Sequence, residues 1–198
     1  MITIALSKGR IESNFYKLLL EKNITNKIIS PGRSLKVRIS DEYELLLVKP
    51  VDVIRFVSSK YADIGIVGSD TIEEESNNDI YELIDLKTGI CFFALASQPF
   101  INLEDINVIA TKYPNITRRL INTFGINPSI VKMEGSLEVA PIINYADAIV
   151  DLVETGSTLK ANGLVILNYL EKISTRVITN VENKDEEQIK MFVKRLER

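Results

Sequence analysis

The chain has 198 residues, 45% hydrophobic and 26% charged, enough apolar content for one large core or two small ones. Its 24 basic and 27 acidic side chains leave a net charge of −3, which argues against a wholesale nucleic-acid binder and leaves room for a local basic patch that meets a phosphate-rich small ligand. There is no histidine, which excludes histidine triads, histidine metal ligands and imidazole bases; any chemistry runs on Asp, Glu, Lys, Arg, Tyr, backbone dipoles or a metal borne by a substrate.

In chain order, ITIAL reads as a short strand, and RIESNFYKLLLEKN places Ile11, Phe15, Leu18 and Leu19 at helical spacing. SLKVRIS and YELLLVK read as strands, VDVIRFVSSKYA as a helix with Val53, Ile54 and Val57 on one face, and ADIGIVGSD as a buried strand entering a glycine turn. TIEEESNND reads as an acidic, exposed segment. IYELIDLKTGICFFALAS holds one or two strands; its lone cysteine, Cys91, cannot form an internal disulfide and reads as core filler in a reducing compartment. NVIATKYPNITRRLINTFG predicts a strand and then a helix, with Pro114 suited to the first turn and Gly125 to the end. SIVKME predicts a strand and SLEVAPIINY a short helix despite Pro141. LVILNYLEKISTRVITN reads mostly as strand. NKDEEQIKMFVKRLER reads as a helix with an Asn183–Glu186 capping pair and an apolar stripe of Ile189, Phe192, Val193 and Leu196. Alternating strands and helices predict an α/β fold with largely parallel sheets. The N-terminus lacks a signal-peptide layout and no apolar run reaches about 18 residues, so the expected location is cytoplasmic, off the membrane.

The most informative stretch is DAIVDLVETGSTLKANGL, Asp147 to Leu164, where an apolar strand breaks into small hydroxyl residues around one glycine and resumes as a helix. In open α/β sheets ligands sit beyond the carboxyl ends of the strands. Free N–H groups there, a helix dipole and the hydroxyls of Thr155, Ser157 and Thr158 suit a phosphate, and Gly156 lets the backbone approach it. The plainer alternative is a helix cap, which needs one hydroxyl rather than three. The spacing fits neither a Walker A loop nor a dinucleotide fingerprint. Asp151 lies on the strand between Val150 and Leu152, where a carboxylate is costly to bury without partners and suits ribose hydroxyls. Asp147 reads as a strand-entry residue. Glu154 faces ribose, Mg²⁺ or solvent.

Glu134 to Leu164 resembles the signature region of the ATP phosphoribosyltransferase family. ALSKGRI and KPVDVIRFVSSKYADIGIVGSD are similar to two further blocks of it, so the resemblance runs over nearly the whole chain. Departures are Lys49 where arginine is common, Ser7 where proline or glutamine is common, and Glu154 where small or polar residues are common. The resemblance implies transfer of the phosphoribosyl group of phosphoribosyl pyrophosphate (PRPP) to N1 of the ATP adenine, with release of pyrophosphate, as the first step of histidine biosynthesis. Mg²⁺ would travel with the substrates. The loop Glu154–Thr155–Gly156–Ser157–Thr158–Leu159 would hold the 5′-phosphate of PRPP, and Asp151 its ribose. Adenine N1 already carries a lone pair, so no strong base is required. The barrier lies in the departing pyrophosphate and the cationic ribose, which calls for cations and fixed geometry.

Lys8 and Arg10 flank Gly9 after the first strand, a turn suited to an anion, and Arg33 sits in the tight turn SPGRS. By resemblance Arg33 and Arg55 stabilise the departing pyrophosphate and Lys8 contacts that of PRPP; read alone, Arg55 is a solvated helix-face residue. Glu138 is either a substrate-site carboxylate or a helix N-terminal charge. GIVGSD is either a second anion nest or a buried strand and turn. The resemblance further implies a two-lobed architecture like type II periplasmic binding proteins, with the site in the interlobe cleft. Lobe I would be residues 1–90 plus 175–198 and lobe II residues 91–174. The short stretch after Leu164 leaves no room for the family's C-terminal regulatory domain. A short form is expected, a homodimer building into a hetero-oligomer with a regulatory subunit resembling histidyl-tRNA synthetase. A salvage-type PRPP transferase would place two adjacent acids before its loop, and a solute-binding protein would carry a secretion signal.

Overall fold

The computed structural model describes residues 1–26 and 34–197. The chain divides into two compact units, Met1–Gly89 with Ser174–Arg198, and Ile90–Ile173. Each is a sheet covered on both faces.

The first unit contains β1 (Ile2–Ser7), β2 (Lys36–Arg38), β3 (Tyr43–Val48), β4 (Ile64–Gly68), β5 (Ile80–Asp85) and β11 (Thr175–Asn180), in the order β2-β3-β1-β4-β11-β5. On one face α1 (Arg10–Glu21) and α7 (Glu187–Glu197) bury Phe15, Leu19, Ile189 and Phe192 against Ile4, Leu6, Leu45 and Ile66. On the other, α2 (Pro50–Ser58) buries Val53, Ile54 and Val57 against Ala5, Val67 and Ile178. Gly65 permits that approach, because a Cβ there would lie 2.7 Å from both Val53 Cγ1 and Ile178 Cγ1.

The second unit contains β6 (Cys91–Ser97), β7 (Val108–Thr111), β8 (Ser129–Lys132), β9 (Ala148–Val153) and β10 (Val165–Ile173), in the order β10-β6-β9-β7-β8. One face carries α4 (Pro114–Ile121), with Ile116, Leu120 and Ile121 on Phe93, Ile109 and Val150. The other carries the short helices α5 (Val139–Ile142) and α6 (Ser157–Ala161), packed through Leu137, Ala140 and Leu159 on Ala110, Ile149 and Val153.

Several expectations need correction. The sheets are mixed rather than largely parallel: β1 runs parallel to β3 and β4, and β7 to β8 and β9, but β11 is antiparallel to β4 and β5, and β6 to β9 and β10. The cause is the chain's path: β11, which follows directly on β10 as the chain re-enters the first unit, lies between β4 and β5 and runs against both, while β5 keeps the direction of β4. The acidic segment TIEEE is helical, as α3 (Ser69–Glu75), since glutamates are good helix formers and Ser76, at φ 43°, ends the helix in the left-handed conformation. Asn183 does not cap α7. The helix begins at Glu187, and the Asn183 carbonyl instead accepts the Glu186 N–H at 3.0 Å in the turn before it. Pro114 does open α4, and Gly125, at φ 71°, closes the turn that follows. Cys91 is buried at the start of β6.

Candidate active site

Apart from Arg33, the predicted residues divide between the two units. In the second unit, strand alternation divides β9 between the two cores. Ala148 and Val150 face α4, while Ile149 and Val153 face α5 and α6. Asp151 shares the second face, the one that carries Glu138 and the hydroxyl loop. Glu138 occupies the N-cap position of α5 and is half-buried. Burial pushes the Asp151 carboxyl above its ordinary range, against the pull of the Leu152 N–H, which donates to Oδ1 at 2.8 Å, and of Lys112; Glu138 adds to the rise.

After β9 the chain turns at Gly156, whose φ of 75° is left-handed backbone that glycine adopts without strain. Thr155, Ser157 and Thr158 are exposed around it. The Thr155 and Ser157 hydroxyls lie 3.0 Å apart, and the Ser157 N–H points at Thr155 Oγ1 at 3.4 Å. α6 is little more than one turn, so its dipole adds little. What the loop offers is the N–H groups of a first helical turn, which have no intrahelical acceptor, and three hydroxyls. Leu159 belongs to the loop through its backbone only, because its side chain is buried in the core. Glu154 is exposed. Asp147 anchors the strand's start, its Oδ2 accepting the Asn107 and Val108 N–H groups at 2.8 Å each.

In the first unit, Lys8, Gly9 and Arg10 follow β1 and are exposed. Gly9 has φ 97°, and its N–H donates to Glu12 Oε2 at 3.1 Å, while Tyr16 OH donates to Glu12 Oε1 at 2.9 Å. The turn's own N–H is thus engaged by a carboxylate, and the Lys8 ammonium and the Arg10 guanidinium are what it can present to an anion. Arg10 Nη2 also donates to the Gly89 carbonyl at 3.4 Å. Arg55 is on the exposed side of α2, 3.3 Å from Asp52. Arg33 lies outside the described residues. In GIVGSD the Asp70 side chain folds back over the turn, where a Cβ on Gly68 would lie 2.0 Å from Asp70 Oδ1. A carboxylate fills that space, where the end of β4 runs directly into the first turn of α3.

Lys112 is the residue that the sequence reading passed over. It directly follows β7, and the only local sign of it is a basic residue between a strand and the helix-opening Pro114. Thr111 secures that strand end, its Oγ1 donating to the Val150 carbonyl at 2.8 Å and accepting the Tyr113 N–H and the Thr117 hydroxyl at 3.0 Å each.

The HisG family model, ATP phosphoribosyltransferase, matches residues 49–198. The chain belongs to the ATP phosphoribosyltransferase family. A family member from Lactococcus lactis subsp. cremoris, an ATP phosphoribosyltransferase, is 45% identical over 184 residues, covering 91% of this chain and 88% of the relative. Among solved structures, the ATP phosphoribosyl transferase (HisG:HisZ) complex from Thermotoga maritima contains a chain 31% identical, with a TM-score of 0.83 over 100% of this chain and 97% of that one. The periplasmic VFT2 domain of Bordetella pertussis BvgS shares the fold at 12% identity and a TM-score of 0.65, over 98% of this chain and 86% of that one. This chain and that periplasmic domain therefore share the two-unit α/β architecture expected of a type II binding-protein fold. No helix among the described residues is long and apolar enough to cross a membrane.

Proposed function

We propose that this chain joins N1 of the ATP adenine to C1′ of PRPP, releasing pyrophosphate and giving phosphoribosyl-ATP, the first step of histidine biosynthesis. The observation that carries this reading is the family match over residues 49–198. The chemistry of the two groups agrees with it. Asp151 offers an acceptor for the ribose hydroxyls, and the loop Glu154–Leu159 offers N–H groups and hydroxyls to the 5′-phosphate. Glu138 joins them as a substrate-site carboxylate. Lys8, Gly9 and Arg10 meet the pyrophosphate of PRPP, and Arg33 and Arg55 stabilise it as it leaves. Because N1 attacks with its own lone pair, positioning and charge neutralisation suffice, and a chain without histidine meets the requirement.

Mg²⁺ enters in this reading with the substrates. Among the described residues no group of three or more acidic or cysteine side chains is placed to hold a metal. A magnesium ion that keeps several waters and binds substrate phosphates needs no such cage. Residues 1–90 with 175–198 act as one lobe and 91–174 as the other. The assembly is a homodimer built into a hetero-oligomer with a regulatory subunit resembling histidyl-tRNA synthetase, supported by the likeness to a chain solved as a HisG:HisZ complex. The enzyme works in the cytoplasm.

The test is to mix the chain with ATP, PRPP and Mg²⁺, with and without that regulatory subunit, and to follow phosphoribosyl-ATP. Product is expected in at least one condition, and its absence from both would reject the assignment.

A further inference from the structure

Lys112 has no task in the reading above, yet its place in the fold is specific. β7 and β9 run parallel with Thr111 opposite Val150, so the next positions, Lys112 just past the end of β7 and Asp151 still within β9, are side by side. Alternation puts both on one face. Ala110 and Ile149, two residues earlier on each strand, belong to the same core cluster as Leu137, the neighbour of Glu138. Three charged groups therefore converge, two carboxylates and one ammonium, and the remaining strand neighbour of Asp151, Ala94 on β6, is uncharged. Lys112 is half-buried and, among the described residues, forms no ion pair, although its charge acts on Asp151. The Asp151 side chain takes a single hydrogen bond among the described residues, from Leu152 N–H, which leaves Oδ2 open to a ligand.

We propose that Lys112 is a positioning residue: its ammonium holds the Asp151 carboxylate, against the repulsion of Glu138, as the hydrogen-bond acceptor for the vicinal ribose hydroxyls of PRPP. The inference rests on the ATP phosphoribosyltransferase reading. Without Lys112 a shielded carboxylate would stand beside a second one with only a neighbouring N–H to favour its charge, and it would take up a proton more readily. A protonated Asp151 is a poorer acceptor for a diol.

Steady-state kinetics of the full chain with Lys112→Met and Lys112→Arg test this. Lys112→Met is expected to raise the KM for PRPP about tenfold while kcat stays within about twofold, the pattern of lost ground-state binding. Its acidic limb in kcat/KM for PRPP should move up by about one pH unit, the usual effect of removing one nearby opposite charge. Lys112→Arg should restore both. If the methionine chain melts early, Lys112→Gln carries the same test. A wild-type KM and acidic limb in the neutral variant would overturn the proposal. So would a loss spread over kcat and both KM values that arginine does not rescue, since that is a lysine needed only for folding. A wild-type chain inactive both alone and with the regulatory subunit would instead remove the reading beneath it.

Discussion

Gly156 holds the backbone conformation on which the proposed phosphate loop depends. A Cβ there would meet Ile166 Cδ1 at 3.5 Å and Val153 Cγ1 at 3.8 Å, ordinary contacts, so space is not the obstacle. The obstacle is the φ of 75°, which costs an L-residue about 1–2 kcal/mol, more when it is β-branched. A strained loop relaxes by turning its N–H groups away, and the core around Leu159 persists because the new Cβ meets its members Val153 and Ile166 only at ordinary contact distances. Gly156→Val should therefore abolish PRPP binding in calorimetry while far-UV circular dichroism stays native; unaltered binding would remove the loop from the site. The loop residues and Asp151 were legible in the sequence because they are contiguous and break a strand pattern. Lys112 was not, because a lone lysine after a strand acquires meaning only from what lies on the neighbouring strand.

At the level of elements, strands β1, β2 and β3 meet at a carboxylate that works for the fold rather than for catalysis. Glu44 is only 7% exposed, accepts the Thr3 hydroxyl at 3.0 Å and pairs with Lys36 at 2.9 Å. The Lys36 hydrogen bond chiefly holds its carboxyl below the ordinary value of 4.5, burial opposing. The folded state therefore binds this proton less readily than the unfolded chain. The stabilisation is fully present above 4.5 and is lost as the pH falls through the lowered folded value. Glu44→Gln should lower the Tm near neutral pH, and the gap to wild type should close as the wild-type carboxyl protonates. A gap constant with pH would show that the ionised carboxylate contributes nothing. Element types were well read from periodicity, since burial of one face imposes it. The helix α3 was missed because it is short and acidic, and its helicity comes from glutamate propensity and its position after β4 rather than from an apolar stripe.

For the whole molecule, two units have separate cores, and the chain passes between them in the short segment joining β5 to β6 and at Ser174 between β10 and β11. If the catalytic chain takes its feedback control from a regulatory subunit, histidine should inhibit the mixture and leave the lone chain unaffected. Titrating histidine into both, with phosphoribosyl-ATP formation as the readout, checks this, and strong inhibition of the lone chain would contradict it.

Composition and local pattern were enough to determine the α/β class, the run of elements apart from α3, the hydroxyl loop at the end of β9 and the absence of imidazole chemistry, because each is a property of neighbours along the chain. Tertiary structure alone decided that the sheets are mixed, that Asp70 folds back over the junction of β4 and α3, that the Leu159 side chain is buried in the core, and that Lys112, Glu138 and Asp151 share one face. Those facts depend on which strand lies beside which and in what register. Hydrogen bonding between segments about 40 residues apart sets that register, as between Thr111 and Val150, and no window of sequence contains both.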